Sequence, residues 1–184
     1  MSEKYIGQVM MAGFNFAPRG AAFCDGQLLS IVSPDALSVM LEHQDGRLTR
    51  VIDRYGHQLQ FYYYPQGHEH EGLLAELIGP DDARWQYSYD EHANLTAVHY
   101  PDLSAQPAVR HYHYNEPDHT QQADLPNALT GITLETGQRY GTYSYDTEGR
   151  AISSEHGSTQ ANRTHITYHS DGSRTITDGL GKER

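Results

Sequence analysis

Large side chains recur at every second position in four short runs: Leu59-Gln60-Phe61-Tyr62-Tyr63, Trp85-Gln86-Tyr87-Ser88-Tyr89-Asp90, Val109-Arg110-His111-Tyr112-His113-Tyr114 and Tyr143-Ser144-Tyr145-Asp146. A period of two predicts strands. In the second run Trp85, Tyr87 and Tyr89 share one face while Gln86, Ser88 and Asp90 share the other, as in a sheet wetted on one side. Between these runs lies a second pattern, a small residue followed by x-Leu-x-x-aliphatic. It occurs at Gly46-Arg47-Leu48-Thr49-Arg50-Val51, Gly72-Leu73-Leu74-Ala75-Glu76-Leu77 and Ala93-Asn94-Leu95-Thr96-Ala97-Val98. Degenerate copies stand at Asn127-Ala128-Leu129-Thr130-Gly131-Ile132 and Gly149-Arg150-Ala151-Ile152.

Asp-rich turns join an aromatic strand to the next small-x-Leu strand, as in Tyr89-Asp90-Glu91-His92-Ala93-Asn94 and Tyr145-Asp146-Thr147-Glu148-Gly149-Arg150. Asp caps its own turn and Gly accepts positive φ. Ala93 fills the Gly slot in one copy, at a cost of about 1 kcal/mol if that position is left-handed. At the N-terminus Tyr5-Ile6-Gly7-Gln8-Val9 reads as a strand, with turns at Asn15 to Gly20 and Cys24 to Gln27. The Pro-rich stretches Pro101 to Gln106 and Pro117 to Pro126 read as surface loops. The run Thr175 to Arg184 reads as the start of a further repeat, leaving an open sheet edge that predicts self-association.

Composition narrows the function classes. Apolar residues make up 37% of 184, and 14 Tyr stand against 4 Phe, so most large side chains carry a hydroxyl that needs a partner. A thin core follows. With 13 Lys and Arg against 24 Asp and Glu, the formal charge of -11 argues against nucleic-acid binding. The 12 His add positive charge only in acid. Cys24 is the sole cysteine, which excludes an internal disulfide. The first residues do not read as a basic leader, and the apolar stretch from Val9 to Phe14 is too short for a signal core or a membrane span.

Candidate chemistry is sparse. His68 and His70, or His111 and His113, could meet a metal from one strand face, but two ligands do not make a site. Cys24 lacks a recognisable base, and Asp81, Asp82, Asp171 and Asp178 sit in turn contexts where Asp serves the backbone. The expectation is a chain with no catalytic residue, no metal and no cofactor. Trp85, Tyr87, Tyr89, Tyr112, Tyr114, Tyr143 and Tyr145 remain, either as the packed face of a sheet or as stacking platforms for sugar rings.

Two resemblances attach to these residues. The recurring aromatic runs, Asp turns and small-x-Leu strands, with Arg110-His111-Tyr112-His113-Tyr114-Asn115-Glu116 and Arg139-Tyr140-Gly141-Thr142-Tyr143-Ser144-Tyr145-Asp146, resemble the YD repeats of Rhs proteins over about residues 45–184. Tyr5-Ile6-Gly7, Asn15-Phe16-Ala17-Pro18-Arg19-Gly20 and Phe23-Cys24-Asp25-Gly26-Gln27-Leu28-Leu29 resemble the opening of phage tail-collar, or microcystin-dependent-type, proteins over about residues 4–31. The implied organisation is a collar-like segment at 1–32, a junction at 33–44 and repeats from 45 to 184.

The Rhs resemblance implies an all-β fold of antiparallel hairpins in a curved, open sheet, a fragment of the hollow shell that encloses a toxin in that family. It implies a structural or interaction role with further repeats, a delivery-machine protein or a toxin cargo as partners. The implied location is the bacterial cytoplasm before delivery, or the exterior by a route without a signal peptide. The Asp-Pro-x-Gly-type cleavage region and a terminal toxin domain of the family are not found, so self-cleavage and toxicity are not carried over. The alternative is a phage-tail-like or surface adhesin presenting tyrosines to glycans.

Overall fold

A computed structural model describes residues 29–32, 38–101, 108–157 and 162–184. The expected Tyr5–Val9 strand, both N-terminal turns, Cys24 and most of the Pro101–Gln106 stretch lie outside these residues. Contacts divide the chain into two compact units, one of residues 1–66 with 71–84, the other of residues 67–70 with 85–184.

The first unit holds β1 (Leu29–Val32), β2 (Ser38–Gln44), β3 (Arg47–Asp53), β4 (Gln58–Tyr63) and β5 (Leu74–Ile78). Each pairs antiparallel with the next. The stretch 33–44, expected to be a junction, therefore contains β2, which pairs with β1 on one side and with the first repeat strand on the other. Its turn to β3 is Asp45-Gly46, both at positive φ (51° and 77°), which suits a two-residue hairpin.

The second unit holds β6 (Arg84–Tyr89), β7 (Leu95–His99), β8 (Val109–Tyr114), β9 (Leu129–Thr133), β10 (Arg139–Tyr145), β11 (Ala151–His156), β12 (Arg163–Tyr168) and β13 (Arg174–Asp178). These strands too pair antiparallel with their neighbours in chain order. The fold is all-β, an open meander of hairpins, and the only helical elements among the described residues are 3-10 turns.

The core is as thin as the composition implies: among the described residues Ile78, Ala97 and Val98 are the buried hydrophobic side chains, at 7–8% exposure. The most deeply buried side chains are two threonines, Thr120 and Thr130, at 0%. Thr120 corrects one expectation. It lies in the Pro117–Pro126 stretch, which is not a simple surface loop but a packed one. Asn115 Oδ1 accepts from Leu125 N (2.7 Å), Asn115 Nδ2 donates to Asp124 Oδ1 (2.8 Å), and Thr120 Oγ1 donates to the Ala123 carbonyl (2.8 Å).

Candidate functional site

The feature that recurs through both units is a joint between two strands. In five hairpins the ladder slips by one residue at the same point of the small-x-Leu motif. Tyr63 faces Leu74 while Tyr62 faces Glu76; Tyr89 faces Leu95 while Ser88 faces Ala97; Tyr114 faces Leu129 while His113 faces Gly131. Tyr145 faces Ala151 while Ser144 faces Ser153, and His43 faces Leu48 while Glu42 faces Arg50. The unpaired residue is Thr49, Ala75, Thr96, Thr130 or Ile152, a β-bulge directly after the Leu slot.

The bulge explains an oddity of the motif. Leu and the following aliphatic residue are three apart, which in a regular strand would place them on opposite faces. With one residue extruded they share a face. Leu95 and Val98 face Tyr89 and Tyr87, and Leu129 and Ile132 face Tyr114 and Tyr112. In these two hairpins the tyrosine pair thus meets an aliphatic pair across the ladder, whereas Tyr143 and Tyr145 face Ser154 and Ala151.

Polar groups freed by the bulge are taken up by side chains. Tyr63 Oη donates to the Leu48 carbonyl (2.8 Å), Tyr145 Oη to the Leu129 carbonyl (3.0 Å), and Tyr168 Oη to the Ala151 carbonyl (3.0 Å). All three acceptors occupy the Leu slot of an earlier strand. Burial raises the Tyr145 pKa, keeping its phenol in the donating form. The bulge threonines act in the other direction, Thr49 Oγ1 donating to the Glu42 carbonyl (3.2 Å) and Thr130 Oγ1 to that of His113 (3.1 Å). Where the motif carries Arg before the Leu slot, its guanidinium lies over the same tyrosine: Arg47 over Tyr63 (5.6 Å) and Arg150 over Tyr168 (4.6 Å).

The tight turns share one geometry. Asp146 N donates to the Arg150 carbonyl, Gly149 N to that of Asp146, and Asp146 Oδ1 accepts from the N–H groups of Glu148 and Arg150. Asp90 repeats every bond with Ala93 in the Gly slot at φ 62°, so the left-handed position expected there is real. The same loop recurs at Asp53–His57 and Asp178–Lys182. Directly after the last of these, Glu183 bridges back to Thr177 in antiparallel fashion.

The face of the second unit away from the tyrosines carries a polar hub. Arg139 makes a two-pronged ion pair with Glu116 (3.0 and 2.6 Å) and also donates to the carbonyls of Thr130 (2.9 Å) and Gly141 (3.2 Å). Its guanidinium lies where a Cβ on Gly131 would stand, so any larger residue there must displace it. Arg139 holds the Glu116 pKa down, from 4.5 to about 2. His113 sits beside the pair, hydrogen-bonded through Nε2 to Thr133 Oγ1 (2.8 Å), and burial lowers its pKa. The loop that follows β8 folds over this face, with His119 Nδ1 3.4 Å from Ser144 Oγ.

The other sequence candidates scatter. His68 Nδ1 accepts from His70 N (3.1 Å), the two rings lie 5.5 Å apart, and His70 packs on Tyr89 at 5.8 Å. His113 is engaged with Thr133, while His111 is exposed. Among the described residues no three His, Cys, Asp or Glu side chains converge on a point that could hold a metal ion. Asp171 accepts from Ser173, and Asp81 and Asp82 lie in a 3-10 turn at φ 58° and 57°. Trp85, Tyr87, Tyr89, Tyr112, Tyr114, Tyr143 and Tyr145 are all half-buried. More open rings are Tyr55 (73%), Tyr62 (47%) and Tyr140 (45%), the last stacked on His156 at 5.3 Å.

The phage tail collar domain family matches residues 7–46. That match runs through β1 and β2 to the Asp45-Gly46 turn, further than the opening residues alone. Among solved structures the chain is similar to the crystal structure of TcdB2-TccC3-Cdc42, with 16% identity, a TM-score of 0.51 and 79% of this chain covered. The chain spans only 7% of the length of that one. No curated protein matches. The collar match at the front suggests a structural or interaction role, and the likeness to the far longer chain shows the fold.

Proposed function

We propose that this chain is a non-catalytic segment of an Rhs-type toxin-delivery shell, built of YD repeats behind a tail-collar-like front. Its hairpins pair edge to edge with further repeats or with a protein of the delivery machine. The observation that carries the reading is the fivefold return of one joint, the bulge directly after the Leu slot, with tyrosine and aliphatic pairs across it in two of the copies. A repeating joint serves a fold that extends by adding copies, since each copy meets only its neighbours. The likeness to TcdB2-TccC3-Cdc42 supports the fold, and on this reading cargo would be enclosed only by a longer assembly of which this chain is a part. The charge of -11 fits protein partners over nucleic acid. Such a segment would be made in the bacterial cytoplasm and leave it by a route without a signal peptide.

The coding frame that contains this chain tests the reading. Further copies of the aromatic and small-x-Leu pattern, followed by a variable terminal domain, are expected. A frame in which the pattern ends here beside a complete enzyme domain would overturn it. A glycan array checks the adhesin alternative, for which the half-buried tyrosines of the repeats are poorly placed; specific binding lost in Tyr140→Ala would favour it.

A further inference from the structure

We propose that His113 is an acid sensor: protonation of its imidazole, set with Arg139 against the middle strand β9, unseats the polar hub and opens the β8, β9 and β10 ladder on mild acidification. The inference does not depend on the shell reading. It starts from placement. His113 lies opposite Gly131, the residue over which the Arg139 guanidinium rests, and its ring is bonded to Thr133 of the same strand.

The charged and titratable groups around it can be named element by element. On its own strand His111 is two residues away and on the same face. From β10 comes Arg139, and from the loop after β8 come Glu116 and, against Ser144, His119. Strand β7 supplies Ala97 opposite His111 and, two residues further along that face, His99 opposite Val109. Strand β9 supplies the uncharged Thr130, Gly131 and Thr133. Among these groups Glu116 is the one carboxylate, and both its oxygens are already engaged by Arg139. A second cation therefore enters a site whose anion is committed.

Burial, and then the Arg139 charge, disfavour the imidazolium in the folded state. The folded chain then binds fewer protons than the unfolded one below the ordinary histidine range. Stability contributed by neutral His113 is complete above the unfolded pKa near 6.5 and is lost as pH falls below it toward the lowered folded value. Glu116, held at about 2, stays charged through this window and cannot produce the effect.

Hydrogen exchange of the β8, β9 and β10 amides, corrected for intrinsic rates, tests the proposal on the full chain at pH 7.5 and pH 5. Protection is expected to fall about tenfold in the wild type and in His111→Gln, and to be independent of pH in His113→Gln. An unchanged wild type, or an acid response fully kept in His113→Gln, overturns it. Should His113→Gln fail to fold, the His113 ring titration by NMR in the wild type decides: a midpoint well below 6.5 supports the sensor and one at or above it overturns it.

Discussion

The β8–β9 and β10–β11 hairpins carry the same bulge and are closed by opposite means. In β10–β11 a short turn is tied by one carboxylate, Asp146, which holds two backbone N–H groups and the Arg150 side chain (2.7 Å). In β8–β9 the connection runs from Asn115 to Ala128, and it is held by a packed loop and by Glu116 reaching Arg139. The loop also touches the tight turns on either side, through Asn94 Nδ2 donating to the Pro126 carbonyl (3.0 Å) and Leu125 packing near Gly149. The joint is constant and the closure is free to vary. Register is thus set within the ladder, leaving the connection open to insertion.

The largest expected effect comes from breaking the irregular closure. Gly131→Ala must displace the Arg139 guanidinium, and Arg139→Ala strands Glu116; because the pair is about one-third exposed, each should cost about 2 kcal/mol, less than a fully buried pair. Urea midpoints measure this. Glu116 gives the pH signature: stability from its charged form is present above 4.5 and is lost as pH falls toward about 2, and Glu116→Gln should flatten that part of the acid titration.

Next comes the regular closure. Asp146→Ala removes the acceptor of two N–H groups and should cost about 1–2 kcal/mol, with Asp90→Ala similar, read from thermal unfolding. Tyr145→Phe leaves the Leu129 carbonyl without its donor and should cost about 1 kcal/mol, whereas a ring that served only as a hydrophobic surface would lose nothing. The smallest effect is the slot exchange. Ala93→Gly should gain up to about 1 kcal/mol and Gly149→Ala lose about as much, since both positions are left-handed. A double variant should nearly cancel.

Strands and tight turns were legible because their signals are local. Period two placed β4, β6, β8 and β10, and Asp90 and Asp146 marked their turns. Asp53-Arg54-Tyr55-Gly56 and Asp178-Gly179-Leu180-Gly181 carry the same Asp-x-x-Gly spacing and could have been read with them. The turns at Leu134–Gln138 and His169–Ser173 keep the backbone bonds without Asp, so nothing in their first residue announces them. The bulge was half visible, since Leu48 to Val51 is an interval of three inside a strand of period two. The hub was not visible. Glu116 and Arg139 are 23 residues apart and meet only because a loop of no regular pattern folds back across the sheet.

The one-residue slip at Thr49, Ala75, Thr96, Thr130 and Ile152 has an evolutionary consequence. Each slip is contained within its own two-strand module, so modules can be duplicated or lost whole without turning a neighbour's rings toward water. Deleting the single codon for Thr96 would remove only the extruded residue, leaving Leu95 and Val98 on one face opposite Tyr89 and Tyr87.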